Sequence, residues 1–129
     1  MAQGFPSATG DVLSAAMYNG LVAYTLNAQT GTTYTTVLND SYQVLITQSN
    51  ASANAIKIPT NASVAHPIGT VITVLNIGAG TCTISAVTSG TTTVLSAGAV
   101  AAAPTLAQYK SAALVKVLTD TWYVVGAIG

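Results

Sequence analysis

The chain contains no arginine and no glutamate, and its 129 residues carry only three lysines (Lys57, Lys110, Lys116) and three aspartates (Asp11, Asp40, Asp120). Three scattered lysines cannot neutralise a run of phosphates, so a nucleic-acid interface is excluded as a reading. Long apolar runs are also missing. A membrane-spanning helix takes roughly 20 consecutive apolar residues, and the longest small-residue run, SAGAVAAAPTLA, is shorter and interrupted by Pro104. The sequence opens without a basic segment followed by an apolar one, so no secretory route is expected. The sequons at Asn39, Asn50 and Asn61 then read as chance matches in a chain rich in Asn, Ser and Thr.

Cysteine and histidine are equally scarce. Cys82 is the single cysteine; it sits in the alternating stretch TCTISAV, where a small buried hydrophobe is expected. His66 is the single histidine. One His and one Cys leave a zinc site short of nitrogen and sulfur donors, so no metal or other cofactor is expected. Because Pro67 follows it, His66 reads as an extended loop or interface residue. Asp11 suits a helix start, and Asp40 and Asp120 suit turns in which the carboxylate accepts from nearby amides. Neither a nucleophile elbow, nor a zinc-protease helix, nor a P-loop is present, and a non-enzymatic chain is expected.

What is abundant is apolar residues, at 50%. A half-apolar chain of zero formal charge has little to keep its copies apart, so an oligomer or a larger assembly is expected. The opening stretch, FPSATGDVLSAAMYNG, reads as one short helix. Thr9 or Asp11 can cap it, Val12, Leu13, Ala15, Ala16 and Met17 supply an apolar stripe, and Asn19-Gly20 stops it. So short a helix is marginal alone and must lean on a partner surface.

From Leu21 the pattern changes to β runs: VAYTL, TYTTV, YQVLITQ, NAIKIP, VITVLNI, TCTISAV, TTVLS, AALVKVL and TWYVVG. Period-two alternation marks half-buried strands. VITVLNI, apolar on both faces, is expected to be central or at a subunit interface. In TDTWYVVG, Trp122 is expected in the core and Tyr123 on the opposite face. Asn39-Asp40-Ser41, Gly78-Ala79-Gly80, Ser89-Gly90 and Thr119-Asp120 separate the runs at hairpin-like spacing. The segment GAVAAAPTLAQ reads as a loop or an extended piece, and no solenoid period is evident. VITVLNIGAG superficially matches a dinucleotide fingerprint, but TCTIS is a strand where the motif needs a helix, so a glycine turn is the reading. The expected fold is all-β, an antiparallel sandwich or jelly roll with a short N-terminal helix.

With these residues in view, GDVLSAAMYNG (10–20) resembles an opening found in many tailed-bacteriophage virion proteins. NASVAHPIGTVITVLNIGAGTCTISA with YKSAALVKVLTDTWYVVG resembles a β-module of phage tail-fibre, head-fibre and capsid-decoration proteins. The resemblance implies a non-enzymatic virion component, commonly a homotrimer, made in the host cytoplasm and carried on the capsid surface. It also implies the major capsid protein as a partner. The compact length favours a decoration (cement) protein over a head- or tail-fibre module that binds host glycans. On this reading residues 1–22 are an arm that docks on the shell through Phe5, Pro6, Val12, Leu13, Met17 and Tyr18, and residues 23–129 form the β-domain. Many copies docking together would make weak contacts act as a strong clamp.

Overall fold

The computed structural model describes residue 15 and residues 23–96 and 104–128. Apart from Ala15, the expected opening helix lies outside them, as do its six docking residues. So do Asp11 and most of GAVAAAPTLAQ.

The described chain is all-β. Its strands are β1 (Thr25–Gln29), β2 (Thr33–Thr35), β3 (Val44–Gln48), β4 (Asn54–Ile58), β5 (Val71–Asn76), β6 (Cys82–Ala86), β7 (Thr93–Ser96), β8 (Thr105–Leu106), β9 (Lys110–Leu118) and β10 (Thr121–Gly126), with one 3-10 turn at Leu38–Ser41. Two sheets form, in the orders β1-β3-β5-β9-β10-β7 and β2-β4-β6-β8. Both are mixed, which corrects the antiparallel expectation. The pairs β1/β3, β3/β5, β2/β4 and β4/β6 are parallel. The pairs β5/β9, β9/β10 and β6/β8 are antiparallel.

The parallel pairs arise because consecutive strands alternate between sheets. β1 crosses to β2, β3 to β4 and β5 to β6, so residues 25–86 wind as three stacked two-strand coils. Asn39-Asp40-Ser41, Gly78-Ala79-Gly80 and Ser89-Gly90 therefore change sheets instead of closing hairpins. Only Thr119-Asp120 joins antiparallel neighbours, β9 and β10. The coils escape a sequence search for repeats because the crossovers differ in length, residues 36–43 in one and 59–70 in the next.

The core lies between the sheets. The inward residues alternate along each strand: Val44 and Ile46, Ile56 and Ile58, Ile72 and Val74, Cys82 and Ile84, Leu114, Trp122 and Val124, all buried. β5 is central in its sheet, between β3 and β9, as its two apolar faces imply. Trp122 is buried and Tyr123 exposed. Cys82 is a buried free thiol.

Candidate functional site

The two ends of the sandwich are fastened differently. At one end the corners 30–32, 49–53 and 77–81 stack. Gln29, Gln48 and Asn76 stand in register at the strand ends, with their amides turned inward. Asn76 Nδ2 donates to the carbonyls of Gly80 and Leu106, each at 2.9 Å, and Asn76 Oδ1 accepts from Gly78 N. Gln48 Nε2 donates to Gly31 O at 2.6 Å. Gly78 and Gly80 are required by contact. A Cβ at Gly78 would come 2.3 Å from Asn50 N, and one at Gly80 would come 1.9 Å from Ser52 O. The glycine turn is thus where one coil rests on the coil before it.

The other end gathers nearly all the described ionisable side chains that point inward. The Leu38–Ser41 turn places the Asp40 carboxylate where Val37 N donates to it at 2.9 Å, Tyr34 OH at 2.6 Å and Asn27 Nδ2 at 3.0 Å. The local amide expected for Asp40 is present; the tyrosine and asparagine, from β2 and β1, were not foreseen. His66 is only 2% exposed. Thr36 Oγ1 lies 3.0 Å from its Nε2, and Ser41 Oγ is hydrogen-bonded to its Nδ1. The ring also meets Trp122 edge to face, with centroids 5.4 Å apart. So His66 is a loop residue, as expected, but a buried one that ties two crossovers to the core.

Lys116 extends the cluster. Its position opposite Trp122 on β9 turns it inward, and it is 2% exposed. Its Nζ donates to Asn61 Oδ1 and to His66 O, both at 2.6 Å. The Asn61 backbone N–H in turn donates to Asp120 Oδ1 at 2.8 Å, and Thr92 Oγ1 donates to the same oxygen at 3.3 Å. Asp120 therefore fastens distant segments, where a purely local turn role was expected. AALVKVL carried the signal for Lys116: in its alternation the lysine occupies an inward position.

The electrostatics follow from burial. Desolvation holds the His66 pKa below its ordinary value, and the Lys116 ammonium lowers it further against a weaker opposing pull from Asp40. Burial also lowers the pKa of Lys116, opposed by Asp120. The Tyr34 phenol is pushed up to about 12 by burial and by its bond to Asp40. These side chains satisfy one another. Among the described residues no group of three His, Cys, Asp or Glu could hold a metal ion, and the shallow pocket of about 280 Å³ beside Thr25, Asn39, Tyr42 and Val44 has no ionisable side chain other than the Tyr42 phenol.

The outer faces differ from each other. On the four-stranded sheet the cross-strand rows are Thr33-Ala55-Thr83-Thr105 and Thr35-Lys57-Ser85, a mostly hydroxyl surface. On the six-stranded sheet they are Leu26-Leu45-Thr73-Ala113-Val125 and Val71-Val115-Tyr123-Leu95, with no charge in either row. Leu26, Val71, Tyr123 and Val125 are exposed there.

No protein-family model, no curated protein and no solved structure matches the chain. Among the described residues no helix is long and apolar enough to cross a membrane.

Proposed function

We propose that this chain is a non-enzymatic structural subunit of a tailed-bacteriophage virion, a decoration or cement protein that binds the outer shell as an oligomer. The observation that carries the reading is how the polar groups are used. His66, Lys116, Asp40 and Asp120 are all committed to hydrogen bonds with other segments of the fold, and an uncharged sheet face is turned outward. Such a domain is suited to being covered and to holding its shape. The resemblance of residues 10–20, 61–86 and 109–126 to phage modules supplies the setting. In this reading residues 1–22 dock on the major capsid protein through Phe5, Pro6, Val12, Leu13, Met17 and Tyr18, and the β-domain joins copies over a junction between capsomers.

The test is the copy number of this chain per purified particle, relative to the major shell protein. Decoration requires copies on the scale of the shell protein. Deleting residues 1–22 should abolish particle binding while the β-domain stays folded, and retained binding would sink the arm. A fibre module that binds host glycans is the second reading. Tyr109 favours it, being 75% exposed on a backbone with φ of 66°, a conformation a bulky residue seldom adopts without cause. A handful of copies per particle would move the chain there.

A further inference from the structure

We propose that the outer face of the six-stranded sheet is the surface through which two copies of this chain meet. The inference rests on the reading of the chain as an assembly subunit, but its test needs no particle. Side chains on this face alternate with the buried core residues of the same strands. Leu26 is 62% exposed, Val125 50%, and Val71 and Tyr123 each 42%. These exposures sit on one sheet in two cross-strand rows, with Leu45, Thr73 and Ala113 between Leu26 and Val125, and Val115 between Val71 and Tyr123.

Four observations point to a second copy as the occupant. First, the absence of charge removes the means to recognise a charged surface, and interfaces between identical subunits are the most apolar of all. Second, the formal net charge of the chain is zero, so identical copies meet without repulsion. Third, β-branched and small side chains leave the relief low, which suits sheet packing on sheet at about 10 Å.

Fourth, the area comes close to what an interface needs. Six strands about 4.8 Å apart and about five residues long span roughly 24 by 17 Å, on the order of 400 Å² in projection. Two such faces give about 800 Å² in projection, somewhat below the roughly 1,000 Å² that a specific interface should clear. Exposed Val117, two residues beyond Val115 on the same face of β9, extends the apolar surface at the rim. The hydroxyl sheet, with Lys57 in its outer row, stays toward solvent.

The experiment measures the mass of the purified full chain by light scattering behind size exclusion, for the wild type and four variants. Val71→Lys and Val125→Lys put like charges on opposing copies and should weaken association at least tenfold. Tyr123→Thr, a residue at home on an exposed strand, removes the aromatic contact without adding charge and should weaken association by less. Thr83→Lys, on the hydroxyl sheet, should leave the mass unchanged. Circular dichroism and thermal midpoints identify any variant that fails to fold; Tyr123→Thr then decides.

A wild type that runs as a monomer at micromolar concentration overturns the proposal. So does an oligomer that survives all three face substitutions. A monomeric wild type whose particle binding is lost on Val125→Lys would assign the face to the shell and overturn the second copy. By contrast, an oligomer broken by these substitutions in a protein found on no particle would leave the interface standing and remove the virion reading.

Discussion

Gly80 rests on Ser52 so closely that a side-chain carbon at Gly80 would lie 1.9 Å from the Ser52 carbonyl oxygen. The Ser52 oxygen belongs to the backbone and the position of a Cβ is fixed by its own backbone, so neither can swing aside. Gly80→Ala should cost about 3 kcal/mol or more, or prevent folding. Gly90, with nothing within 4 Å of a built Cβ and no positive φ, is the control. Gly90→Ala should be neutral or stabilise by about 0.5 kcal/mol. Urea titration of both variants checks the contrast, and equal effects would mean that the coils do not stack as described.

Acid should loosen the cluster at His66. A histidine whose folded pKa lies below its ordinary 6.5 binds fewer protons folded than unfolded. Stability from this group is therefore complete above about pH 6.5 and falls as pH drops below it. Urea midpoints between pH 7.5 and 5 should decline for the wild type. His66→Gln should start lower, because it gives up the Trp122 contact, and show a flatter pH slope. A slope unchanged by the substitution would place the acid sensitivity elsewhere.

Replacing Lys116 by methionine keeps the stem and deletes the donor. It also strands Asn61 Oδ1 and His66 O, which accept from Nζ at 2.6 Å. Stranded buried acceptors cost about 1–3 kcal/mol each, and relief from burying a charge offsets part of this. Lys116→Met should lose about 1–2 kcal/mol in chemical denaturation. A gain in stability would show that the ammonium is the larger burden.

On the alkaline side the thiol and the phenol act together. Burial pushes the Cys82 thiol up to about 11 and Tyr34 up to about 12. Both groups bind their protons more tightly when folded, so the stability they add is present below pH 9 and is lost as pH climbs through their raised values. Lys116, lowered by burial, works in the opposite sense. At pH 8 the folded protein should leave Cys82 untouched by a thiol reagent, and unfolding in urea should expose it fully. Fast labelling of the folded state would contradict its burial.

Strand content and inside-outside assignment were legible because they depend on alternation alone. Ile72 and Val74 on β5, Cys82 and Ile84 on β6, and Trp122 against Tyr123 all fall where period two puts them. Partner choice was not legible. A turn such as Gly78-Ala79-Gly80 has the same composition whether it reverses a strand within one sheet or carries it across to another. What separates the two is the Asn50 and Ser52 backbone beneath, more than 20 residues away in the chain. The polar cluster stayed hidden for the same reason. Thr36 and Ser41 come from one crossover, His66 from the next and Lys116 from β9, and apart from the inward parity of Lys116 each alone is an ordinary loop residue. Only Asp40 showed part of its role, because its bond to Val37 N is local.

The order β5-β9-β10-β7 has a consequence for how the domain is made. The last two strands among the described residues, β9 and β10, lie inside their sheet, and β7 is held there through β10. While residues 110–126 are still within the ribosome, β5 has a bare flank, and Trp122 and Leu114 are missing from the core. The stacked coils can wind as they emerge, but the sheet closes only when its final segment inserts. A chain released without that segment would expose an unpaired strand edge, the kind of surface on which nascent chains aggregate.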